Sequence, residues 1–381
     1  MSIYLDNAAT TALDPDVLEA MMPYLCEQHG NPSSTHAQGR AAKGAVETAR
    51  KKVADLLGVA PAEIVFTSGG TEADNFALRS AVLSYGIEHA ITTRIEHHAV
   101  LHTLEALHES GQVQLHFLDT DPEGNPDLVQ LEELLAEHPG ALVSLMHGNN
   151  EIGNLNDLPQ IGEIVARHDG YFHSDTVQTI GHFPLPLKTF GVHYAAASAH
   201  KFHGPKGVGF LFMDKDRKLK SYQTGGSQER GLRGGTHNVA GIVGLAAALE
   251  KAINEQEEHR QHILGLKLRL RDGLKQQFPD LHFHGLSADP DKSLYTVLNV
   301  GFPEQLASGM LLFQLDIQGV CASGGSACSS GSVSGSHVIR ALGSKGRIPV
   351  RFSFGKYNTE AEIDRVLEVL QSIAKQEPVG S

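Results

Sequence analysis

The alternation of short apolar runs with amphipathic stretches, over about the first 240 residues, constrains the fold more than any other feature of this sequence. The apolar runs predict strands at 63–67, 89–93, 113–117, 141–146, 171–174, 194–197 and 207–212. Helical patterns lie between several of these runs, for example at 39–57, 73–84 and 128–137. Such alternation is typical of an α/β fold with a mostly parallel sheet and helices on both of its faces. Ligands of such folds bind at the carboxyl ends of the strands.

The last third of the chain has a different pattern and predicts a smaller α+β domain. A long helical stretch at 239–277 is interpreted as one bent helix that joins two domains. After it, predicted strands at 294–300, 319–321 and 350–354 mix with predicted helices at 303–315 and 359–374. We therefore expect a large domain at 14–250 and a small domain made of 1–13 and 251–381.

Composition excludes several classes of function. The formal net charge of −13 argues against nucleic-acid binding, which needs a basic surface. No apolar run approaches the roughly 18 residues of a membrane span, and the N-terminus lacks the pattern of a secretory signal. Three cysteines in 381 residues do not form a disulfide framework, which favours a reducing cytoplasm.

Lys201 lies in an unusual setting, between a hydroxyl and two imidazoles and just before a Gly-Pro turn. The preceding run at 194–197 is small and apolar and predicts a buried strand end. Lysine is rarely buried without a task, and a buried lysine loses its charge more easily, as imine formation with an aldehyde requires. Upstream, Asp175 offers a carboxylate that could keep the nitrogen of a pyridine ring protonated. Together the two residues predict pyridoxal phosphate (PLP) as cofactor.

The run at 64–73 passes from a strand through Gly69 and Gly70 into a helix that begins near Thr71. Free N–H groups and the positive end of the helix dipole make such a turn an anion site, suited to the cofactor phosphate. A plain capped turn is the alternative for this motif taken alone.

Other polar residues also follow predicted strands. His97 could stack on a pyridine ring and relay protons, or it could be an exposed loop histidine. Asn150 and Gln178 could reach the phenolic oxygen of the cofactor, although Asn and Gly also favour turns. A zinc site through His98 and His102 lacks a third ligand and is discounted, so no resident metal is expected.

Cys328 lies in a Gly- and Ser-rich stretch at 322–336, which predicts a mobile loop with an exposed, nucleophilic thiol. Cys321 and Cys26 are interpreted as structural cysteines. Arg351, on an apolar strand, could bind a substrate carboxylate through its guanidinium or could form an internal ion pair.

In order along the chain, these motifs resemble those of the cysteine desulfurases of the NifS/IscS-like branch, class V aminotransferase relatives with a fold-type I PLP architecture. The resemblance covers nearly the whole chain, in the motifs Tyr4-Leu-Asp-Asn-Ala-Ala-Thr10, Gly30-Asn-Pro-Ser-Ser34 with His36, Ser68-Gly-Gly-Thr-Glu72, Glu96-His97, Asn149-Asn-Glu-Ile-Gly153, Asp175 with Gln178, Ser198 with His200-Lys201 and Gly204-Pro205, Arg233-Gly-Gly-Thr236 with Asn238, Gly325-Ser-Ala-Cys328, and Arg351-Phe-Ser353.

The resemblance implies a role for each matched residue. Lys201 would form the imine with the cofactor, Asp175 would pair with its ring nitrogen, and His97 would stack on the ring. Gln178 and Asn150 would lie near the ring hydroxyl. The phosphate would be held by Gly70, Thr71, Ser198 and His200, and by Thr236 of a neighbouring subunit, which implies a homodimer. Asn31, Asn150 and Arg351 would bind the substrate, and Cys328 would be the catalytic nucleophile, with at most a transient iron–sulfur contact.

The implied activity converts L-cysteine to L-alanine, with the sulfur taken as a persulfide on Cys328 for an acceptor such as an iron–sulfur scaffold protein. Two alternatives stay open, a selenocysteine lyase and a non-catalytic sulfur-transfer platform. The sequence ends soon after the helix at 359–374, earlier than in the housekeeping relatives, which leaves the scaffold partner open.

Overall fold

The computed structural model describes residues 2–304, 306, 310–325, 336–343 and 346–376. Within these residues the strands are β1 (Ile3–Tyr4), β2 (Ile64–Thr67), β3 (His89–Thr93), β4 (Gln114–Leu118), β5 (Leu142–Ser144), β6 (Tyr171–Asp175), β7 (Tyr194–Ser198), β8 (Gly209–Met213), β9 (His282–Phe283), β10 (Val297–Pro303), β11 (Val320–Cys321) and β12 (Arg347–Ser353). The helices are α1 (Pro15–Cys26), α2 (Ala37–Leu57), α3 (Gly70–Tyr85), α4 (His98–Glu109), α5 (Leu128–Glu137), α6 (Leu158–Arg167), α7 (Val239–Asn254), α8 (Gln256–Gln277), α9 (Leu311–Ile317), α10 (His337–Ala341) and α11 (Glu360–Gln376).

A seven-stranded sheet in the order β2-β8-β7-β6-β5-β3-β4 forms the centre of the larger part of the molecule. The pairs from β7 through β4 are parallel, and β8 runs antiparallel to both of its neighbours. Alternate residues of one strand, such as Ala195 and Ala196, belong to two different apolar clusters. One cluster includes side chains from α2, α5, α6 and α7, and the other includes side chains from α3 and α4. The predicted α/β sheet with helices on both faces is confirmed.

Three of the predicted elements in the C-terminal part are wrong in extent. The stretch at 239–277 is two helices, because α7 ends at Asn254 and α8 begins at Gln256. The strand predicted at 294–300 begins at Val297, since the N–H of Leu294 donates to the carbonyl oxygen of Gly153 instead (2.7 Å). The helix predicted at 303–315 begins only at Leu311, as α9, because Pro303 instead ends β10 opposite Arg347.

A separate apolar cluster lies in the C-terminal part and includes Ile3 and Leu5 from the N-terminus. Most of its other members come from α8, β10, α9, β12 and α11, whereas the clusters around the large sheet draw on residues between Val17 and Ile253. This distribution supports the proposed division into a large domain at 14–250 and a small domain made of 1–13 and 251–381. Among the described residues, none of the helices is both long and apolar enough to cross a membrane.

A buried ion pair fixes the segment that carries Thr236. The guanidinium of Arg50 (2% exposed) donates two hydrogen bonds of 2.7 Å to the Glu229 carboxylate, which also accepts from the Phe66 N–H and from His237. Glu229 itself has a φ of 45°, a strained value for a residue with a side chain. Although burial opposes it, hydrogen bonding from His237 and Arg50 lowers the pKa of Glu229 to about 2.

Replacing Glu229 with Gln should lower the free energy of unfolding at neutral pH by about 3–5 kcal/mol, because Arg50 would lose its buried counter-ion and keep only the exposed carboxylate of Glu47. The Glu229 carboxylate has a lowered pKa, so its stabilising charge is present above the ordinary pKa of 4.5 and is lost as pH falls toward 2. Urea unfolding of the wild-type and Glu229→Gln proteins should therefore show a difference in the free energy of unfolding that becomes smaller in acid. Asp55→Asn, which breaks an exposed pair with Lys51, is the control and should cost less than about 1 kcal/mol. Equal losses in the two variants would contradict this role for the buried pair.

Candidate active site

A cavity of about 220 Å³ opens at the carboxyl edge of the large sheet. Strand ends of β6 and β7, the start of α3 and the N-terminal segment meet here. The residues that line it are Ala8, Ala9, Gly70, Thr71, Asp74, His97, Met146, Gly148, Asn150, Asp175, Val177, Gln178, Ser198, His200, Lys201 and Arg351.

Lys201 ends a single 3-10 turn, Ala199–Lys201, that follows directly from β7. Its ammonium donates hydrogen bonds to the carbonyl oxygens of Ala8 and Ala9, the second at 3.0 Å. The side chain is half-buried, less so than the buried setting expected from the sequence. The reason is that the cavity, not the apolar core, surrounds its amine.

Asp175 is the last residue of β6, the strand next to β7, and its side chain is 7% exposed. One carboxylate oxygen accepts from the Val177 N–H at 2.9 Å, which fixes the orientation of the group. Ligand atoms of Asp74, His97 and Asp175 all lie within 4.8 Å of one another. The carboxyl end of β6 therefore carries an oriented acid that points into the cavity beside an imidazole.

Two further acids lie around Asp175, and sequence reasoning missed both. Asp74 lines the cavity from α3 and is 1% exposed, and Glu96 is equally buried and accepts from the Met146 N–H at 2.8 Å. Burial, together with the neighbouring Asp175 carboxyl group, raises the pKa of Asp74 and of Glu96 well above their ordinary values. Both shifts favour the protonated, neutral form of the acid. The sequence did carry a signal for both acids. Glu96 belongs to the motif Glu96-His97, and Asp74 lies two residues after Glu72, where the glycine-turn motif ends.

His97 is the N-cap of α4, where its Nδ1 accepts from the Ala99 N–H at 3.1 Å. Nδ1 is therefore the unprotonated nitrogen, which leaves Nε2 to carry the ring proton. Burial lowers the pKa of His97 against the opposing effect of Asp175, and Lys201 adds to the lowering. A neutral, oriented imidazole thus lies half-buried at the cavity wall, and the exposed-loop alternative does not hold.

The opposite end of the cavity is suited to an anion. Gly69 precedes α3 with a φ of 155°, and a Cβ on Gly70 would lie only 2.5 Å from the Val177 side chain. Ser198 and His200 also line this cavity. Burial lowers the pKa of His200 to about 4, with help from the positive charges of Lys201 and Lys206. Free N–H groups at the helix start, a hydroxyl and a nearby ammonium favour a phosphate here.

Arg351 lies on β12 and is 1% exposed. It donates to the Asp6 carboxylate (2.8 Å) and to the carbonyl oxygen of Asn150 (2.9 Å), and its Nε makes no hydrogen bond with the described residues. The internal ion pair weighed from the sequence is therefore present, and the guanidinium still faces the cavity. Gln178 points its amide at the carbonyl oxygen of Ala8, at 3.1 Å.

Three residues from the sequence predictions do not line this cavity. Asn31 and Thr236 are both exposed and lie outside its wall. Cys328 lies outside the described residues. Of the two cysteines interpreted as structural, Cys321 is half-buried on β11 and Cys26 is exposed at the end of α1. Cys26 makes no part of the core, because α1 turns that residue toward solvent.

The residues of this cavity fit PLP on observations of their own. A glycine turn that a Cβ would obstruct, a cavity-facing lysine and an oriented acid match the phosphate, aldehyde and pyridine ring of that cofactor. The group formed by Asp74, His97 and Asp175 could also surround a cation. Two of its members, His97 and Asp175, already accept hydrogen bonds from backbone N–H groups of the site.

The family model described as aminotransferase class-V matches residues 3–366. A cysteine desulfurase of Nostoc sp. is 43% identical, over 98% of this chain and 93% of its own length. The cysteine desulfurase IscS of Methanosarcina thermophila is 42% identical, over 98% and 92%. The chain belongs to the class-V aminotransferase family, among the cysteine desulfurases. PLP is the cofactor of this family, as predicted.

Solved structures of cysteine desulfurases agree with this assignment. A NifS-like protein with 38% identity superposes with a TM-score of 0.90 and covers 98% of this chain and 100% of its own. A cysteine desulfurase from Thermococcus onnurineus reaches a TM-score of 0.85 at 26% identity, over 98% and 95%. A structure described as SspA in complex with cysteine has a TM-score of 0.79 at 30% identity, over 94% and 100%. The fold-type I architecture predicted from the motifs is confirmed.

The two neighbouring acids of the cavity should respond differently to the same change. Asp175→Asn should keep the cofactor but slow alanine formation by roughly 10²-fold or more, because an amide cannot hold the ring nitrogen protonated. Asp74→Asn should stay close to wild type, since its raised pKa already makes Asp74 a neutral group. Visible absorbance reports bound cofactor, and alanine release reports the rate. If the two variants lost activity to the same degree, the assignment of the charge to Asp175 would fail.

Proposed function

We propose that this protein removes sulfur from L-cysteine, releases L-alanine and takes the sulfur as a persulfide on Cys328. The observation that carries the proposal is the convergence of Lys201, Asp175 and Arg351 on one cavity, in a chain of the cysteine desulfurase family. These three groups supply an amine, a ring-nitrogen partner and a site for a substrate carboxylate.

The cofactor would be held at both of its ends by residues from different elements. The turn at Gly70 and Thr71, with Ser198 and His200, would bind the phosphate, and Asp175 and His97 would contact the ring. Gln178 and Asn150 would lie near the ring hydroxyl. When bound there, PLP supplies an electron sink for the carbon atoms of the amino acid that lose a proton and sulfur.

Lys201 has two tasks, to hold the cofactor and, once the amine of the substrate has displaced it, to act as a base. The carbonyl oxygens of Ala8 and Ala9 accept hydrogen bonds from its Nζ, which shows where the amine can rest when it is not bonded to the cofactor. From this position the neutral amine would take the proton from the substrate Cα. The same hydrogen bonds keep the amine at the cavity wall between these two tasks.

Asp74 and Glu96 lie close to Asp175, and their preference for the neutral form would leave the negative charge of this region on Asp175. Several carboxylates cannot all ionise at such short distances, and burial already favours the neutral forms of Asp74 and Glu96. Asp175 would pair with the proton on the ring nitrogen. His97 would stack on the ring and relay protons through Nε2.

The substrate carboxylate would bind the guanidinium of Arg351, whose Nε has no hydrogen bond among the described residues. Its Nη atoms already contact Asp6 and Asn150, so the side chain is fixed before substrate arrives. A guanidinium held in this way is suited to a carboxylate because it presents several donors in one plane. Asn31 is proposed to contact the substrate as well.

Cys328 would accept the sulfur. The Cβ–S bond of L-cysteine breaks, an S–S bond to Cys328 forms, and the carbon that loses sulfur gains a proton, so that L-cysteine and a thiol give L-alanine and a persulfide with no outside oxidant. Support comes from the chain on either side. Ser323 pairs with Arg351, the Ser336 hydroxyl donates to Glu151, and Cys328 is three residue steps along the chain from Gly325, a reach of about 10 Å when extended.

Several finer features belong to the same proposal. A homodimer would let the exposed Thr236 reach the phosphate bound by a second copy of the chain. A reducing compartment, the cytoplasm, would keep the Cys328 thiol free between turnovers. The acceptor would be a protein such as an iron–sulfur scaffold, reached by the persulfide.

Lys201→Ala should abolish both turnover and the visible absorbance of the bound cofactor, since no other lysine among the described residues lines the cavity. Lys206→Ala is a matched control, because Lys206 is exposed and lies five residues further along the same turn region. It should keep the absorbance and most of the activity. Desulfurase activity in the Lys201 variant would rule out this assignment.

Cys328→Ser should keep the cofactor and bind L-cysteine but form no alanine, because a hydroxyl is a far weaker nucleophile toward sulfur than a thiolate. Cys321→Ser should affect stability more than activity. Rapid-scanning absorbance after mixing with L-cysteine would show substrate binding, and an alanine assay would show turnover. Normal alanine production by the Cys328 variant would contradict the role of this thiol.

A further inference from the structure

Three histidines converge on the side of the molecule away from the PLP cavity. They are His89 at the first residue of β3, His116 at the middle of β4, and His138 immediately after α5. All three are half-buried. None lines the cavity at the carboxyl edge, since His89 begins the strand whose far end leads to His97.

The topology of the sheet explains why these residues meet. In the parallel ladder His89 pairs with Gln114 and Ile91 with His116, so alternation places His89 and His116 on one face, two residues apart along the ladder. That face is covered by α5, whose Leu131 and Leu135 pack in the same apolar cluster as Ile91. The helix ends at the amino side of the strands, and His138 then turns back onto the two strand histidines.

The three imidazoles are in close contact. Nδ1 of His89 lies 3.0 Å from Nε2 of His116, and the rings of His89 and His138 stack with centroids 3.8 Å apart. The rings of His116 and His138 are 4.8 Å apart. One nitrogen from each residue can be chosen so that all three lie within 4.8 Å of one another.

We propose that His89, His116 and His138 form a binding site for a divalent transition metal ion of the zinc type, separate from the desulfurase site. Imidazole is a preferred ligand of Zn²⁺, with a Zn–N distance of about 2.0–2.1 Å, which corresponds to nitrogens about 3.4 Å apart in a tetrahedral site. The direct separation of Nδ1 of His89 from Nε2 of His116, 3.0 Å, lies near that value, and the chosen nitrogens of all three residues lie within 4.8 Å. Rotation of the half-buried rings would bring the three nitrogens to the metal, and a water molecule would take the fourth position.

The surroundings of the cluster favour a cation. Glu88 and Glu137, each next to one of the histidines, lie close enough to affect them electrostatically, and the chain as a whole has a net charge of −13. Burial lowers the pKa of His89 and of His116, and the proximity of His138 lowers both further. Metals bind imidazole in its neutral form, which the lowered pKa of His89 and of His116 favours.

A metal at this position would add a link among three elements, since β3 and β4 already pair in the sheet whereas α5 meets them through side-chain packing. The strand β4 is the outermost strand of the large sheet, and the metal would tie it to β3 and to the end of α5. Because the unfolded chain does not hold the three ligands together, binding would stabilise the folded protein. The activity at the opposite edge would stay unaffected.

Zn²⁺ binding to the holoenzyme tests the proposal, with Cys328→Ser as the background so that this thiol does not compete for the metal. Competition titration should find one strong site per chain, and Co²⁺ in its place should give the visible bands of a tetrahedral site without a thiolate charge-transfer band. His138→Gln should weaken Zn²⁺ binding by at least the roughly 10–100-fold that loss of even a second-shell partner costs. It should also remove the increase in unfolding temperature that Zn²⁺ causes.

His102→Gln is the matched control, because His102 belongs to the other group of ring contacts, with His98 and His337. This control should bind Zn²⁺ as the background protein does. In an otherwise wild-type chain, His138→Gln should turn over L-cysteine normally, which shows that it folds. Absence of a strong site, or a site that survives His138→Gln, or one lost in His102→Gln, would overturn the proposal.

Discussion

The hydrogen bonds between residues 6–11 and the turn that carries Lys201 are the constraint on which the rest of the site depends. Thr11 donates through its N–H and hydroxyl to the carbonyl oxygen of His200, and its hydroxyl accepts from the His203 N–H. Ala8 and Ala9 accept from the lysine itself. Since Asp6 holds Arg351, and Asn7 and Ala8 donate to Ser353, the same short segment fastens the small apolar core to the active site. Lysine and arginine thus keep a fixed separation.

The distribution of charge in the cavity adds a second constraint to the one that residues 6–11 impose. Asp74 and Glu96 are buried as neutral acids near Asp175, so the charge of the region is concentrated where a ring nitrogen would need it. At the other end, the start of α3 and the neutral His200 provide donors for a phosphate without adding a second buried cation. Residues from several elements therefore place the negative charge near Asp175 and the donors for a phosphate near the start of α3. Arg50 is a different case, because two carboxylates contact it, the buried Glu229 and the exposed Glu47.

The sequence alone predicted most of the large sheet, and β3 was predicted to the residue, because apolar runs between amphipathic helices are a local signal. Motifs with a chemical purpose, such as the lysine turn and the glycine turn, were also visible. Features that depend on contacts between residues far apart in the sequence could not be predicted. Leu294 lies outside its predicted strand because Gly153 takes its N–H, and Pro303 extends β10 because β12 lies beside it. The neutral state of Asp74 depends on burial that no local pattern reveals.

The central claim, that Lys201 holds PLP in this cavity, can be tested by reductive trapping. Borohydride reduces the linkage between a lysine and the cofactor to a stable bond, and peptide mass spectrometry then locates it. The account predicts a pyridoxyl-modified peptide containing Lys201, and loss of that modification when L-cysteine is added just before the reductant, because the substrate amine displaces the lysine. Modification of a different lysine, such as Lys206 or Lys267, with Lys201 unmodified, would contradict the account.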